Sequence, residues 1–220
     1  MTSLLHSFGR TLTHVNNSGC IIFNSTDSGT YSAVLGAGVY HIILIGAGGG
    51  GAHCRYGAGH DLFDYYGQGG VAATIEVYIR VLSKTTITIT LGAHGITGNS
   101  IGQGQVSVYG TDGAASSITG IANTTLYCGP GTAGKVISGN QPSAGVMGDA
   151  VISGPTILRI LMNSNEHRIA SGTVASYVRN SNYMTNYYYG RGGGAVLSTN
   201  YDGGVPFCFI EKIEREQYGV

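Results

Sequence analysis

Five side chains with metal-binding chemistry, His53, Cys54, His60, Asp61 and Asp64, fall within twelve residues. Imidazole, thiolate and carboxylate together can hold a transition metal. Their spacing matches no standard zinc arrangement, so they read as polar residues of a glycine-rich turn and no metal is expected. Just before them, Gly46-Ala-Gly48-Gly-Gly-Gly51 satisfies the G-x-G-x-x-G pattern of dinucleotide sites, and Asp61 and Asp64 stand near where such sites place a ribose-binding acid. That pattern works only if its third glycine opens a helix whose N-terminus faces the pyrophosphate. The continuation AHCRYGAGHDLFDYYGQGG adds more glycine and no apolar face at helical spacing. No phosphate-binding G-x-x-x-x-G-K-[ST] loop, no G-x-S-x-G elbow and no recognisable carboxylate pair accompanies it. No catalytic residue and no cofactor is expected, and a nucleotide-binding enzyme using Gly46 to Gly51 ranks last among the readings.

The residues best suited to recognition are aromatic. Tyr183, Tyr187, Tyr188, Tyr189 and Arg191 lie in NSNYMTNYYYGRGGG, and residues 180–204 read as an exposed Tyr/Gly loop. A tyrosine offers a flat apolar face and a hydroxyl at small entropic cost, which serves protein interfaces and sugar rings equally. Subunit packing and ligand contact both fit this loop. The same two readings apply to Tyr65 and Tyr66, and to Arg55-Tyr56, between the glycine runs, because recognition usually sits on loops held by a β scaffold.

The glycines themselves read as structural at Gly46, Gly48, Gly49, Gly50 and Gly51, and again at Gly192, Gly193 and Gly194. Without a Cβ, two backbones can approach with no side chain between them. Polyproline-II-like segments, three residues per turn, are one way to use such runs, but they need neighbours to bond their backbone groups. Because the runs are short, glycine-rich stretches from different parts of the chain or from different subunits would have to lie side by side.

These groups must be positioned by strands. Residues 20–23, 30–34 and 39–45 are apolar or β-branched runs separated by NSTDSG and LGAG, giving strand, turn, strand, turn, strand. The run YHIILI suits a central strand buried on both faces. Residues 71–82 form a long strand candidate, and TTITITL at 85–91 alternates, turning Ile87, Ile89 and Leu91 to the core and Thr86, Thr88 and Thr90 outward. Antiparallel pairing of these two through Ser83-Lys84 is the natural expectation. Beyond Gly92 come short segments closed by glycine, QVSVYG, AASSITG, TTLYCG and KVISG, too short to nucleate a helix. Residues 156–162 fit either a strand or a helical turn. Residues 205–210 close the chain as a strand, with Pro206 at an edge or a strand start. EKIERE, five charges in six residues, reads as a solvated strand end or tail.

Composition agrees with an all-β fold. Glycine takes 38 of 220 positions, Trp is absent and only 10% of residues are charged, which excludes an ordinary helical enzyme. Hydrophobic residues at 42% and 15 tyrosines argue against disorder. Eleven basic and eleven acidic side chains cancel, so the electrostatic footprint of nucleic-acid binding is missing. No apolar run spans a bilayer and MTSLLHSFGR is not a secretory signal, so a soluble product made in the cytoplasm, with no membrane insertion, is expected. Cys20, Cys54, Cys128 and Cys208 are far apart and read as lone core thiols. Zero net charge gives little protection against association, so an assembly of copies is expected.

The stretch FNSTDSGTYSAVLGAGVYHIILIGAGGGGA resembles the opening of the glycine-rich domains of tailed-bacteriophage tail-fibre and receptor-binding, adhesin-like proteins. GQGGVAATIEVYIRVLSKTTITITLGAHG is similar to their next section, and DGGVPFCFIEKIE to how they close. The resemblance covers about residues 20–110 and, more loosely, 201–213. It implies a single glycine-rich antiparallel β-sandwich-like domain over 1–220 with long Gly/Tyr-rich loops, residues 1–19 serving as an N-terminal arm or attachment segment. It further implies a virion component, a homo-oligomer with a trimer favoured, touching other virion proteins and a bacterial surface protein or glycan. The alternative from the residues alone is a non-viral carbohydrate-binding module.

Overall fold

The computed structural model describes residues 20–58, 61–101, 107–137, 141–163 and 202–213. All regular structure in these residues is β. One five-stranded sheet runs in the order β1 (Cys20–Ser25), β16 (Phe207–Ile213), β3 (Gly38–Ile45), β6 (Thr74–Val81), β15 (Ile157–Asn163). A second runs β14 (Ala150–Ser153), β11 (Thr125–Cys128), β10 (Ser116–Thr119), β7 (Thr85–Leu91), β2 (Gly29–Leu35). Every pairing in both is antiparallel.

The alternation in the sequence decides which side chains enter the space between these sheets. Ile87, Ile89 and Leu91 of β7 meet Tyr40, Ile42 and Leu44 of β3 and Ile75, Val77 and Ile79 of β6 in one core, while Thr86 and Thr88 face solvent. This is the expected β-sandwich. Tyr40 is fully buried, and its hydroxyl donates to Gly36 O at 2.9 Å, which satisfies its polar end. Strand β3 is central and buried on both faces, as its apolar run requires. On its outer side Ile43 and Ile45 join Phe207 and Phe209 of β16 in a second apolar cluster. Cys54, Cys128 and Cys208 are buried thiols that form no disulfide. The Cys128 thiol donates to Leu44 O at 3.1 Å. Burial pushes both Cys128 and Cys208 well above the ordinary thiol range, the former also through the proximity of Cys208.

Two expectations about strands change. Residues 71–82 and 85–91 do not pair: β6 lies in the first sheet and β7 in the second, so the link at 82–84 crosses from sheet to sheet. Alternation fixes which face of a strand is apolar, and both strands do face the same core, but it is silent on the lateral partner. The 156–162 segment is the strand β15, and Pro206 directly precedes β16, a central strand, so it marks a strand start and not an edge.

Between the sandwich and a distal end lie the glycine-rich stretches. The chain leaves β3 through 46–51, makes the hairpin β4 (Ala52–Ala58) and β5 (Asp61–Gly67), and returns through 68–73 to β6. It leaves β7 through 92–97 to β8 (Gly98–Ile101) and β9 (Val108–Tyr109), and returns through 110–115 to β10. It leaves β11 through 129–134 to β12 (Lys135–Ile137) and β13 (Gln141–Ser143), and returns through 144–149 to β14. Residues 203–206 lead into β16.

These stretches bond to one another in steps of three. Gly46 N donates to Ala73 O and Gly49 N to Gly70 O; Ala47 N donates to Ala114 O and Gly50 N to Thr111 O; Gly48 N donates to Gly204 O. On the accepting side, Ala47 O and Gly50 O receive Gly131 N and Gly134 N, and Gly48 O and Gly51 O receive Gly95 N and Gly98 N. Residue 46–51 groups therefore address a new neighbour at each step and return to the first after three, the period of a polyproline-II-type helix. The outer stretches keep the same period among themselves, as in Gly70 N to Thr132 O with Ala73 N to Gly129 O. The stretch 46–51 is wholly buried and ringed by five others, and the N–H groups of Gly46 to Gly50 and the carbonyls of Ala47, Gly48, Gly50 and Gly51 are answered by backbone from elsewhere in the same chain.

Such contact leaves no room for side chains. A Cβ on Gly49 would run into the backbone of Thr132, and one on Gly131 into that of Gly70, both far inside van der Waals contact. Glycine accordingly recurs every third residue, at 92, 95 and 98, at 110 and 113, at 131 and 134, and at 145 and 148. In the ringed stretch it fills every place but Ala47.

Candidate functional site

The outbound stretches 46–51, 92–98 and 129–134 run parallel, because Gly131 and Gly134 bond to Ala47 and Gly50 in step, and Gly95 and Gly98 to Gly48 and Gly51. Parallel travel delivers β4, β8 and β12 to one end of the molecule, opposite the sandwich. Two small sheets form there, β5-β4-β8 and β13-β12-β9. Their common core is Ala52, Cys54, Val108 and Val136, with Tyr65 packed against it.

Adjacent residues on a strand face opposite ways, and the β4–β5 hairpin shows the consequence. Cys54 is paired with Tyr65 in register, and both turn inward. His53 is paired with Tyr66, and their rings stack with centroids 4.7 Å apart and planes 8° from parallel. Asn99 of β8 approaches His53 Nδ1 through Oδ1 at 3.1 Å. The pair expected as exposed loop aromatics, Tyr65 and Tyr66, are thus half-buried strand residues, the first in a core and the second on an imidazole. Metal-binding types placed side by side in the sequence are separated in the same way, since His53 and Cys54 point to opposite faces. Among the described residues no three His, Cys, Asp or Glu side chains come together as a metal would need.

The glycine fingerprint is also accounted for. A phosphate cradle needs free backbone N–H groups at a helix start. Here Gly46, Ala47, Gly48, Gly49 and Gly50 each donate to a backbone carbonyl, and the chain enters strand β4 next.

The other small sheet presents the more open surface. Register aligns Tyr109 of β9, Lys135 of β12 and Ser143 of β13 in one row, with Val136 and Val108 turned to the core behind them. Tyr109 is 54% exposed and Ile137, further along β12, is 44% exposed. An aromatic face, an ammonium, a hydroxyl and an aliphatic group on a rigid backing can stack on and hydrogen-bond to a polyol or a protein loop. Sequence reasoning passed over Tyr109. The signal was the alternation Val106-Ser-Val-Tyr109 before Gly110, which turns the tyrosine away from the valine beside it.

Tyr183, Tyr187, Tyr188, Tyr189, Arg191, Gly192, Gly193 and Gly194 lie outside the described residues. No protein-family model matches the chain, and no curated protein matches it.

Proposed function

We propose that this protein is a virion component of a tailed bacteriophage, a tail or fibre module that attaches to a bacterial surface protein or glycan, and that it works by binding and not by catalysis. The observation that carries the reading is the glycine bundle: three outbound and returning pairs of stretches stiffened by backbone bonds in steps of three, which hold the small sheets at one end away from the sandwich. A connector of this kind separates a body suited to assembly from a tip suited to contact. The resemblance of residues 20–110 to phage adhesin-like domains points the same way. Weak tip contacts on several copies would combine through effective concentration.

The test is retention of the full chain on envelope preparations from a panel of bacteria, with Tyr109→Ala as the variant. Binding to some envelopes that drops by roughly tenfold or more in the variant, as loss of an aromatic anchor does, supports the reading. Absence of binding to every envelope counts against it. The row Tyr109, Lys135 and Ser143 favours a second reading, a non-viral carbohydrate-binding module. That reading predicts binding to free oligosaccharides in place of intact envelopes.

A further inference from the structure

A helix with three residues per turn and no internal bonds points its N–H groups in three directions and its carbonyls in three others, so it has six sides to satisfy. Five of them are filled around residues 46–51. Followed through the bonds between neighbours, the ring runs 68–73, 129–134, 110–115, 92–98 and 203–206. Stretches that receive N–H groups from the centre, 68–73, 110–115 and 203–206, alternate with those that donate to its carbonyls, 129–134 and 92–98. The alternation fails between 203–206 and 68–73, where a donating stretch is due. By the three-residue repeat, the carbonyls on that side belong to Gly46 and Gly49. Both residues are buried, and among the described residues no donor reaches either carbonyl. Buried backbone carbonyls are seldom left without one.

The two donating stretches define what fits there. Both run parallel to 46–51, and each residue by which they bond to the centre is a glycine three places from the next: Gly131 and Gly134 on Ala47 and Gly50, Gly95 and Gly98 on Gly48 and Gly51. Glycine is required because a Cβ would enter a flanking stretch, at Gly70 from Gly131 and at Thr111 from Gly95. Chain order adds a second constraint. The returning stretches 68–73, 110–115 and 144–149 each follow an outbound stretch, and 203–206 also returns, into β16. Its outbound counterpart therefore precedes it in the chain. Outside the described residues, the only glycines three places apart are Gly190 and Gly193, shortly before 203–206.

We propose that the run 190–194 docks on the sixth side of the bundle, parallel to 46–51 and between 203–206 and 68–73, with Gly190 N donating to Gly46 O and Gly193 N to Gly49 O. The step equals that of Gly131 and Gly134 on Ala47 and Gly50. The eight residues 194–201 then suffice to turn back to Asp202, whose carboxylate accepts from Thr97 N at 2.8 Å beside the distal end. The occupant is the chain's own run, because 203–206 already holds the end of that connection in the ring. The assignment holds whatever the distal end binds.

The experiment is detection of scalar couplings across hydrogen bonds by NMR, on the full chain labelled with ²H, ¹³C and ¹⁵N. Gly131 N to Ala47 C′ and Gly134 N to Gly50 C′ serve as internal standards. The expected result is matching couplings from Gly190 N to Gly46 C′ and from Gly193 N to Gly49 C′. A sample refolded from a mixture of ¹⁵N-only and ¹³C-only chains should show neither. Urea unfolding gives an independent readout. Gly193→Ala should lower the midpoint as far as Gly131→Ala does, or prevent folding, whereas Gly192→Ala, one place off the bonded side, should keep most of the wild-type midpoint. Absence of the two couplings in a sample that shows the standards overturns the proposal. So do couplings in the mixed sample, which assign the side to a second copy's run, or equal midpoints for Gly193→Ala and Gly192→Ala.

Discussion

The sandwich and the glycine bundle solve the same problem with opposite materials. In the sandwich, Ile, Leu and Val side chains fill the gap between two sheets, and burial of apolar area is the main stabilising term. In the bundle there is almost nothing to fill. Backbone lies against backbone, and the stabilising interactions are hydrogen bonds such as Gly49 N to Gly70 O at 3.0 Å and Gly134 N to Gly50 O at 2.9 Å. Ordering glycine is entropically expensive, so the bundle must bring many such bonds together at once to form. The difference predicts opposite responses to the same methyl group: a core tolerates losing one better than the bundle tolerates gaining one.

The largest effect should come from adding that methyl. Gly49→Ala or Gly131→Ala drives a Cβ into the backbone of Thr132 or Gly70, where no flexible side chain can yield. We expect a loss above about 4 kcal/mol, exceptional for a single substitution, read as a collapse of the urea midpoint or failure to fold. A small change in midpoint would break the comparison. Next comes Ile118→Ala in the sandwich, fully buried, for which a loss of about 2–5 kcal/mol is expected in the same assay.

Raising the pH should separate the regions differently. Cys128 and Cys208 sit in or against the sandwich core with thiol pKa values raised by burial. Their contribution is fully present below the unfolded thiol value of about 8.5 and is lost as pH rises from there toward the folded values. Stability should fall by up to about 1.4 kcal/mol per pH unit for each thiol in that window. Urea titrations at stepped pH measure the slope, and Cys208→Ala should lower it.

A milder probe is Ile87→Val, expected to cost about 0.5–1.5 kcal/mol. The smallest effect sharpens the rule within one stretch. His94 stands exposed beside buried Gly95. His94→Ala should shift stability by no more than about 0.5 kcal/mol, whereas Gly95→Ala, whose Cβ would enter the backbone of Thr111, should behave like Gly49→Ala. Equal melting temperatures for the two variants would remove the three-residue period as the organising feature.

Much of the sandwich was legible before any coordinates. TTITITL carries its two faces openly, YHIILI its central position, and the glycine and polar clusters their turns. What could not be read was lateral order. β6 and β7 adjoin in sequence with three residues between them, yet they lie in different sheets, because a short link spans a sandwich as readily as it folds a hairpin. The distal strands were harder. β4 and β5 carry charged, aromatic and glycine residues without clean alternation, since one face meets a small core and the other a stacked His53 and Tyr66. The exposed row through Tyr109 depends on a register among β9, β12 and β13 that no local pattern encodes.

The glycines divide the two kinds of information most clearly. The sequence by itself determined where backbone could touch backbone: every third residue in the outer stretches, nearly every residue in 46–51. Even that spacing is a local property, written in GAHGITG, GTDG, GTAG and GVMG. Only the tertiary structure decided which stretch stands at the centre and which five surround it. A helix without internal hydrogen bonds has no structure of its own to declare, because its donors and acceptors are satisfied wholly by neighbours brought from up to about a hundred and fifty residues away, as in Gly48 N to Gly204 O.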